Sequence, residues 1–400
     1  MTDPLLRWRS EFPILEHTTY LISNSLGAMP RSAAVRLQEY AQIWATKGVR
    51  AWKDAWWEMP LSVGDVIAPL IGADAGQVTM HPNITLMEAI VLSCFEAPGT
   101  SPGRTRVVCE DLNFPSVLYL LRKWTATHGK QLHLVRSDDG VTVDTGRMVD
   151  AIDERTLLVP LSHVLFRSAY IQDVRAIIEK AHSVGALVVL DAYQSVGTMP
   201  VDVKALGVDV LLGGVLKWLC GGPGGAFLYV RPDLARTLEP RLTGWLAHRR
   251  PFDFDPGEIE YTDSAYRFLN GTPAIPALYA ASEGPRIIAS VGLEEIRRKS
   301  IRQTSMIIAE ADRRGWTVHT PREVSRRGGT VTIELPHAFE VAQELIERSI
   351  LVDYRKGAGI RVAPHFYTSD EELSGALREI GSILDDGSYR RHIGKQSVVT

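Results

Sequence analysis

The chain has 400 residues, of which 45% are apolar and 23% charged, and its formal net charge is −3. This length exceeds what one hydrophobic core usually serves, so we expect two domains. The small net charge gives no electrostatic reason to expect nucleic acid or an anionic membrane as a partner. The three cysteines share no metal-ligand spacing and are too few for a disulfide framework, so we predict no metal site. Without a signal-peptide core or a membrane-length apolar run, we expect a cytoplasmic protein.

The middle of the chain alternates short β-rich runs with helical periods. The predicted strands are short, mostly aliphatic runs that cover residues 104–110, 130–135, 156–164, 186–191, 208–214 and 226–230. Helices are predicted at 115–127 and along an apolar stripe from Val174 to Ala181 that ends at Gly185. Buried strands joined by helices predict the α/β class, with a mostly parallel sheet covered on both faces.

After about residue 285 the pattern changes to a smaller α+β arrangement. The predicted elements there are helices at 293–314, 338–348 and 371–384, and strands at 328–335 and 359–365. We therefore predict a large domain over residues 46–285 and a small domain over residues 286–400. Residues 1–45 are expected to form an arm that joins the small domain.

Two charged residues stand where an open α/β sheet places its ligands, at the carboxyl ends of strands. Asp191 ends one predicted strand, and Lys217 follows the next in a glycine-rich loop. This pair suits pyridoxal phosphate, because a carboxylate holds the pyridine nitrogen protonated while a lysine forms the Schiff base and moves protons at the substrate α-carbon. A helix-capping aspartate and a solvated lysine reach the same spacing by chance, so the pair alone leaves both interpretations open.

Several further segments, in a fixed order along nearly the whole chain, carry a more specific signal. They are YLISNSLGAMP (20–30), NFPS (113–116), SHVLFRSA (162–169), DAYQSVGTMPVDV (191–203), GGPGG (221–225), LTGWLAH (242–248), NGTPAIPAL (270–278) and IRVAPHFYTSDEE (360–372). Together they resemble the aminotransferase class V group of fold-type-I pyridoxal-phosphate enzymes, and within it most closely the kynureninases. The resemblance implies a large domain with a seven-stranded, mostly parallel sheet and a smaller α+β carboxyl-terminal domain.

The resemblance assigns cofactor roles to the matched positions. Lys217 would be the Schiff-base lysine, Asp191 the partner of the pyridine nitrogen, and Gln194 a donor to the cofactor's 3-oxygen. Phe114 would stack on the pyridine ring, although a plain core phenylalanine remains an alternative.

The cofactor phosphate has two groups of candidate ligands. Asn83, Ile84 and Thr85 open a predicted helix, whose free amides and dipole favour an anion, and a simple N-cap is compatible with that role. Trp245 and Thr272 match segments that reach the phosphate in these enzymes, Thr272 from the neighbouring subunit. This implies a homodimer with a shared active site.

The substrate is expected to be a small amino acid. Arg361 is the candidate for its α-carboxylate, because a guanidinium fork matches a carboxylate bidentately. Asn24 and Ser25 from the arm would complete that pocket, with plain turn chemistry as the alternative.

The reaction implied by the resemblance is that of kynureninase, which hydrolyses the Cβ–Cγ bond of kynurenine to anthranilate and alanine. Two positions depart from that family: Leu216 replaces the tyrosine before the lysine, and Gln194 replaces a histidine. We therefore predict a kynureninase-like hydrolase or lyase of amino-acid metabolism, acting on kynurenine or a related amino acid.

Other reactions stay open at this point. The D-x-x-Q pattern resembles cysteine desulfurases and selenocysteine lyases, but no cysteine follows Cys220 to carry a persulfide, so this alternative is a direct Cβ–S lyase. Epimerisation, decarboxylation and transamination share the first steps. A cofactor-holding regulator without catalysis is disfavoured by the presence of Lys217, Asp191 and Arg361.

Overall fold

The computed structural model describes residues 3–97 and 103–395, and thirteen α-helices and thirteen strands lie within them. The helices are α1 (Arg31–Lys47), α2 (Met59–Ile67), α3 (Ile84–Ser93), α4 (Pro115–Thr127), α5 (Thr145–Ala151), α6 (Val174–Ser183), α7 (Val203–Leu206), α8 (Pro232–Ala235), α9 (Ile275–Ala281), α10 (Glu283–Val291), α11 (Leu293–Arg314), α12 (Ala338–Glu347) and α13 (Asp370–Asp386). The strands are β1 (Thr19–Tyr20), β2 (Val78–His81), β3 (Arg106–Glu110), β4 (Gln131–Val135), β5 (Thr156–Ser162), β6 (Leu187–Asp191), β7 (Val210–Gly214), β8 (Ala226–Val230), β9 (Thr317–Val318), β10 (Val331–Glu334), β11 (Ile350–Leu351), β12 (Asp353–Arg355) and β13 (Gly359–Val362).

The large sheet has seven strands in the order β2-β8-β7-β6-β5-β3-β4. The pairs from β4 to β7 are parallel, whereas β8 runs antiparallel to both of its neighbours. Because β3, β5, β6 and β7 are parallel, their carboxyl ends meet at one edge of the sheet, and chain order reverses between β5 and β3. The predicted mostly parallel, seven-stranded sheet is confirmed.

Both faces of the large sheet are covered, which is why its strands read as continuous apolar runs. Val188 and Leu190 of β6 belong to one core, together with the buried stripe of α6. Val189, between them in sequence, points to the other core, where it joins Leu121 of α4. Successive side chains of β6 therefore point alternately into the two cores, one on each face of the sheet.

A second sheet has four antiparallel strands in the order β12-β13-β10-β9, and α11, α12 and α13 complete its core. The amino-terminal segment reaches this part of the fold, because β1 pairs in parallel with β11 and Leu21 lies in the same core. Helix α1 packs against α9 instead. Helix α10 runs through residue 285, so the domain boundary there stays a prediction.

The helices themselves are amphipathic or short. The longest of the described helices, α11, buries one side of its 22 residues and exposes charged side chains on the other. Within residues 3–97 and 103–395, no helix is both long and apolar enough to cross a membrane.

Candidate active site

A cavity of about 260 Å³ lies at the carboxyl edge of the large sheet. It brings together seven of the residues that the sequence singled out: Asn83, Ile84, Thr85, Phe114, Asp191, Gln194 and Lys217. These residues come from four separate stretches of chain, each beginning where a strand ends or a helix starts. The edge of the sheet therefore collects the predicted cofactor residues in one place.

Lys217 lies in the loop after β7, with its amine inside the cavity. Its Nζ atom is 4.3 Å from the centroid of the Tyr193 ring and 5.8 Å from that of Phe114. Burial lowers the pKa of Lys217 to about 7; the Asp191 carboxylate opposes the shift, whereas the Arg361 and Arg355 guanidiniums add to it. A large fraction of this amine is therefore neutral near pH 7, as an attack on an aldehyde requires.

Asp191 is the last residue of β6 and faces the same cavity as Lys217. Burial raises the pKa of its carboxyl group, while a hydrogen bond from the Tyr193 backbone N–H to Oδ1 (2.8 Å) and the charge of Lys217 act in the opposite direction. The two groups interact electrostatically in the structure. The pairing of Asp191 with Lys217 that was predicted from the sequence requires both side chains to lie at one edge of the sheet, and they do.

Gln194 is buried and held at both ends of its amide. Oε1 accepts a hydrogen bond from the indole Nε1–H of Trp218 (2.9 Å), and Nε2 donates to the backbone oxygen of Asn24 (3.0 Å). Because an indole N–H is always a donor, it fixes which end of the amide is which. The second N–H of Nε2 remains for a ligand, so a donor role toward the cofactor stays a consistent prediction.

Helix α3 begins at the cavity. Asn83 has extended backbone angles, and its Oδ1 accepts a hydrogen bond from the Leu86 N–H (2.9 Å), so it is the N-cap of the helix. Asn83, Ile84 and Thr85 all line the cavity. The positive end of the helix dipole therefore points at the space beside Lys217, as a phosphate site requires.

Phe114 stands at the start of α4 and is 44% exposed, so it is not a core residue. Its ring packs edge-on against Phe166 with 5.2 Å between centroids. Its backbone is fixed by Asn113, whose Oδ1 accepts from the Phe114 N–H (2.7 Å) and from the Ser162 hydroxyl (3.1 Å). An exposed aromatic ring held in this way leaves one face free to stack on a ligand.

Arg361 of β13 does not line the cavity itself, but it is linked to the cavity wall. Nη1 donates to the backbone oxygen of Phe166 (2.6 Å), and Nη2 contacts Asp353, which also binds Arg355 (2.8 Å). Burial lowers the pKa of Arg361 to about 9. Three polar atoms of the predicted carboxylate pocket are buried without a hydrogen-bond partner among the described residues: Arg361 Nε, Asn24 Nδ2 and Asn24 Oδ1.

The arm segment 22–28 packs directly on the lysine loop. The Gly27 N–H donates to the backbone oxygen of Leu216 (2.8 Å), and a Cβ atom at Gly27 would lie only 2.1 Å from the backbone oxygen of Lys217. A glycine is therefore required there for steric reasons. Ser25 is partly buried, and its N–H closes a turn onto Ile22, so the structure shows the turn while its substrate role stays a prediction.

Trp245 and Thr272 lie outside the Lys217 cavity of their own chain. Trp245 packs edge-on against Trp57 (5.3 Å) and stacks on Phe254 (5.8 Å). Thr272 is exposed and borders a different cavity, together with His81. A phosphate role for Thr272 therefore depends on a second subunit, as predicted, and for both residues the role stays a prediction.

Sequence reasoning missed the residues that form much of the cavity wall. The missed residues are Ser116, Val117, Ser162, Val164, Phe166 and Tyr193, and Leu216 was noted without a place in the wall. Tyr193 is the most prominent of these because of its contact with Lys217. One signal was available, since it follows Asp191 by two residues in the same loop after β6.

Comparison with known proteins agrees with this geometry. The model of the family described as aminotransferase class V matches residues 19–378. A kynureninase from Pseudomonas fluorescens is 34% identical over 395 residues, covering 96% of this chain and 93% of the relative. A kynureninase from Burkholderia pseudomallei (strain K96243) is 33% identical, covering 97% and 94%.

Solved structures show the same fold. A cysteine desulfurase from Thermococcus onnurineus NA1 superposes with a TM-score of 0.84 at 24% identity, covering 96% of this chain and 99% of that chain. A C-DES variant with glycine covalently linked to the PLP cofactor superposes with a TM-score of 0.83 at 19% identity, covering 93% and 98%. At these identities the likeness is one of fold.

The fold and the cavity define a fold-type-I pyridoxal-phosphate enzyme. The chain belongs to the aminotransferase class V family, and the two relatives described above, at 33% and 34% identity, are kynureninases. The predictions of fold, family and cofactor are confirmed.

The residues present fit pyridoxal phosphate. Lys217 offers a partly neutral amine, Asp191 a carboxylate for the pyridine nitrogen, Phe114 an exposed ring face, and the start of α3 an anion site. The partial reactions that these residues allow are amine attack on an aldehyde and proton exchange at a substrate α-carbon.

Proposed function

We propose that the protein hydrolyses the Cβ–Cγ bond of kynurenine or a closely related amino acid and releases alanine. The observation that carries this proposal is the composition of the cavity, which places Lys217 and Asp191 beside an apolar wall. The wall is formed by Phe114, Val117, Val164, Phe166 and Leu216. Such a wall suits a neutral aromatic side chain. The kynureninase relatives support the same reaction.

The charges next to the cavity favour a substrate with one carboxylate. Arg361 and Arg355 share the carboxylate of Asp353, so this group of three carries one net positive charge. The unpartnered Nε of Arg361 and amide of Asn24 offer donors for one carboxylate. A second acidic group on the substrate would enter an apolar cavity without a partner, which costs several kcal/mol per ion. This disfavours aspartate and cysteine sulfinate.

The residues have distinct tasks in this reaction. The bound cofactor supplies an electron sink for the substrate α-carbon. Lys217, with its pKa lowered to about 7, takes the α-proton and returns it, since a base works best when its pKa lies near the working pH. Asp191 balances the charge of the pyridine nitrogen, and Arg361 with Asn24 orients the carboxylate.

The alternative is a direct Cβ–S lyase, which Gln194 in the D-x-x-Q pattern favours. A persulfide relay is disfavoured because all three cysteines are buried and none lines the cavity. Burial raises the pKa of Cys94 and of Cys220 to about 12, so their thiolates are scarce at neutral pH.

The test is a panel of amino acids offered to the purified holoenzyme: kynurenine, 3-hydroxykynurenine, cysteine, cysteine sulfinate and aspartate. We expect anthranilate and alanine from kynurenine and none from Lys217→Ala. Alanine with sulfide from cysteine, and no anthranilate from kynurenine, would replace the proposal by the lyase alternative.

A further inference from the structure

Tyr193 lies closer to the reactive amine than any other aromatic side chain of the cavity. The centroid of its ring is 4.3 Å from Lys217 Nζ, compared with 5.8 Å for Phe114. The position of the ring depends on Gly214, the last residue of β7, because a Cβ atom there would lie 2.3 Å from Tyr193 Cζ and 2.5 Å from its hydroxyl oxygen. The absence of a side chain at residue 214 thus creates the space that this phenol fills.

The hydroxyl group of Tyr193 is not used by the fold. Tyr193 lines the cavity, and among the described residues its hydroxyl forms no hydrogen bond. Other buried or half-buried tyrosines do bond through their hydroxyls, for example Tyr20 to Leu26, Tyr170 to Val143 and Tyr261 to Pro240. A phenol of the cavity wall whose hydroxyl has no protein partner is available to a ligand.

The charged groups around Tyr193 determine which role its phenol suits. Burial and the neighbouring Asp191 carboxylate raise the pKa of Tyr193 well above its usual value. The phenol therefore stays protonated at neutral pH and acts as an acid rather than a base. Lys217 Nζ lies over the face of the same ring, and in its protonated form it stabilises a phenolate there by its positive charge.

Release of alanine creates a need for such an acid. After the Cβ–Cγ bond breaks, the β-carbon keeps the electron pair of that bond and must gain a proton to become a methyl group. Leu216, which lines the same cavity, has no proton to give. We infer that Tyr193 is a catalytic residue that protonates the β-carbon: its O–H bond breaks and the new C–H bond forms. The water that attacks the γ-carbon becomes part of the new carboxylate, and the proton it releases returns to the phenolate through solvent. This inference rests on the proposed function.

The decisive variant is Tyr193→Phe, which keeps the ring beside Lys217 and Gly214 and removes the hydroxyl. We expect kcat for alanine release to fall by about 10²- to 10⁴-fold, the usual contribution of a general acid. Because cleavage precedes protonation, rapid-quench experiments on the holoenzyme should show a burst of one equivalent of anthranilate followed by slow alanine release. A residue that only supports the fold would slow both products equally and give no burst.

Two further variants complete the experiment. Tyr170→Phe removes a hydroxyl from a buried tyrosine outside the cavity and should show no burst. Leu216→Tyr, placed in the Tyr193→Phe background, returns a phenol to the cavity and should recover at least about tenfold in kcat. If Tyr193→Phe keeps the wild-type rate, or loses anthranilate and alanine release equally in the first turnover, the inference is wrong.

The design separates this inference from the proposed function. If the wild-type enzyme releases alanine from another amino acid of the panel and not from kynurenine, kynurenine fails as the substrate. The burst comparison is then made with the leaving group of that amino acid. If no amino acid yields alanine, the β-carbon needs no acid and the inference fails with the proposed function.

Discussion

Lys217 and Asp191 show how two ionisable side chains, placed at the ends of neighbouring strands, shift each other's pKa. Burial disfavours both ions, while their mutual attraction favours them. The two nearby guanidiniums of Arg361 and Arg355 lower the pKa of Lys217 further. The result is an amine that changes charge close to neutral pH instead of near pH 10.

This shift makes a prediction about cofactor loading. Since only the neutral amine attacks an aldehyde, the rate at which the apoprotein forms its lysine–cofactor linkage should rise about tenfold per pH unit below pH 7 and level off above it. Stopped-flow absorbance measures that rate. Asp191→Asn removes the carboxylate that raises the pKa of Lys217, so its midpoint should move to lower pH. A midpoint near pH 10 in the wild-type protein would contradict the environment described for Lys217.

Helix α3 illustrates the element scale, because one residue, Asn83, serves the helix and the candidate phosphate site together. Its side chain caps the helix by accepting from the Leu86 N–H. The backbone N–H groups of the residues that follow Asn83 lie at the cavity, and as the first N–H groups of the helix they have no carbonyl partner within it. Capping and anion binding use different N–H groups, which is why both roles fit one helix end.

Two variants of Asn83 separate these roles. Asn83→Ala should lower the free energy of unfolding by about 1 kcal/mol through loss of the cap. Asn83→Asp keeps the cap but places a like charge beside the phosphate, so cofactor affinity should fall by at least about tenfold while stability is retained. Urea unfolding and cofactor titration of the apoprotein measure the two effects. Unchanged affinity in Asn83→Asp would place the phosphate elsewhere.

At the scale of the whole molecule, the amino-terminal arm ties the small sheet to the active site. Arg9 binds both carboxylate oxygens of Glu372 (2.6 and 2.7 Å) and the backbone oxygen of Tyr367 (2.7 Å). Glu372 also completes the capping box at the start of α13. The same arm continues to Asn24 and Gly27, which pack on Gln194 and on the lysine loop.

Glu372→Gln should loosen this connection. The variant loses a bidentate ion pair that is partly buried, so we expect a loss of about 1 to 2 kcal/mol in stability and a rise in KM larger than the fall in kcat. Urea unfolding and steady-state kinetics provide the readouts. Glu371→Gln is the matched control, because Glu371 is exposed in the same helical turn. Equal effects of the two variants would show that the arm is not held by Arg9.

The sequence by itself determined much of the secondary structure of this protein and the pairing of Asp191 with Lys217. Helices α4 and α11 and strand β8 have the bounds that their patterns predicted, since burial on one or both faces imposes a period that a single segment displays. Asp191 and Lys217 were found because chain topology alone sends the ends of parallel strands to one edge. Short elements such as β2 and β12 were not predicted, because four residues or fewer are too few to show a hydrophobic period.

Only the tertiary structure decided how side chains from distant segments face each other. Tyr193 reaches Lys217 because Gly214 leaves space, Trp218 orients the amide of Gln194, and Asp353 engages Arg361 across two strands. None of these contacts follows from spacing along the chain. Each contact depends on the direction in which a side chain projects from its own helix, strand or loop, and on the space or the polar group that a second segment provides. Packing of the segments against each other determines both.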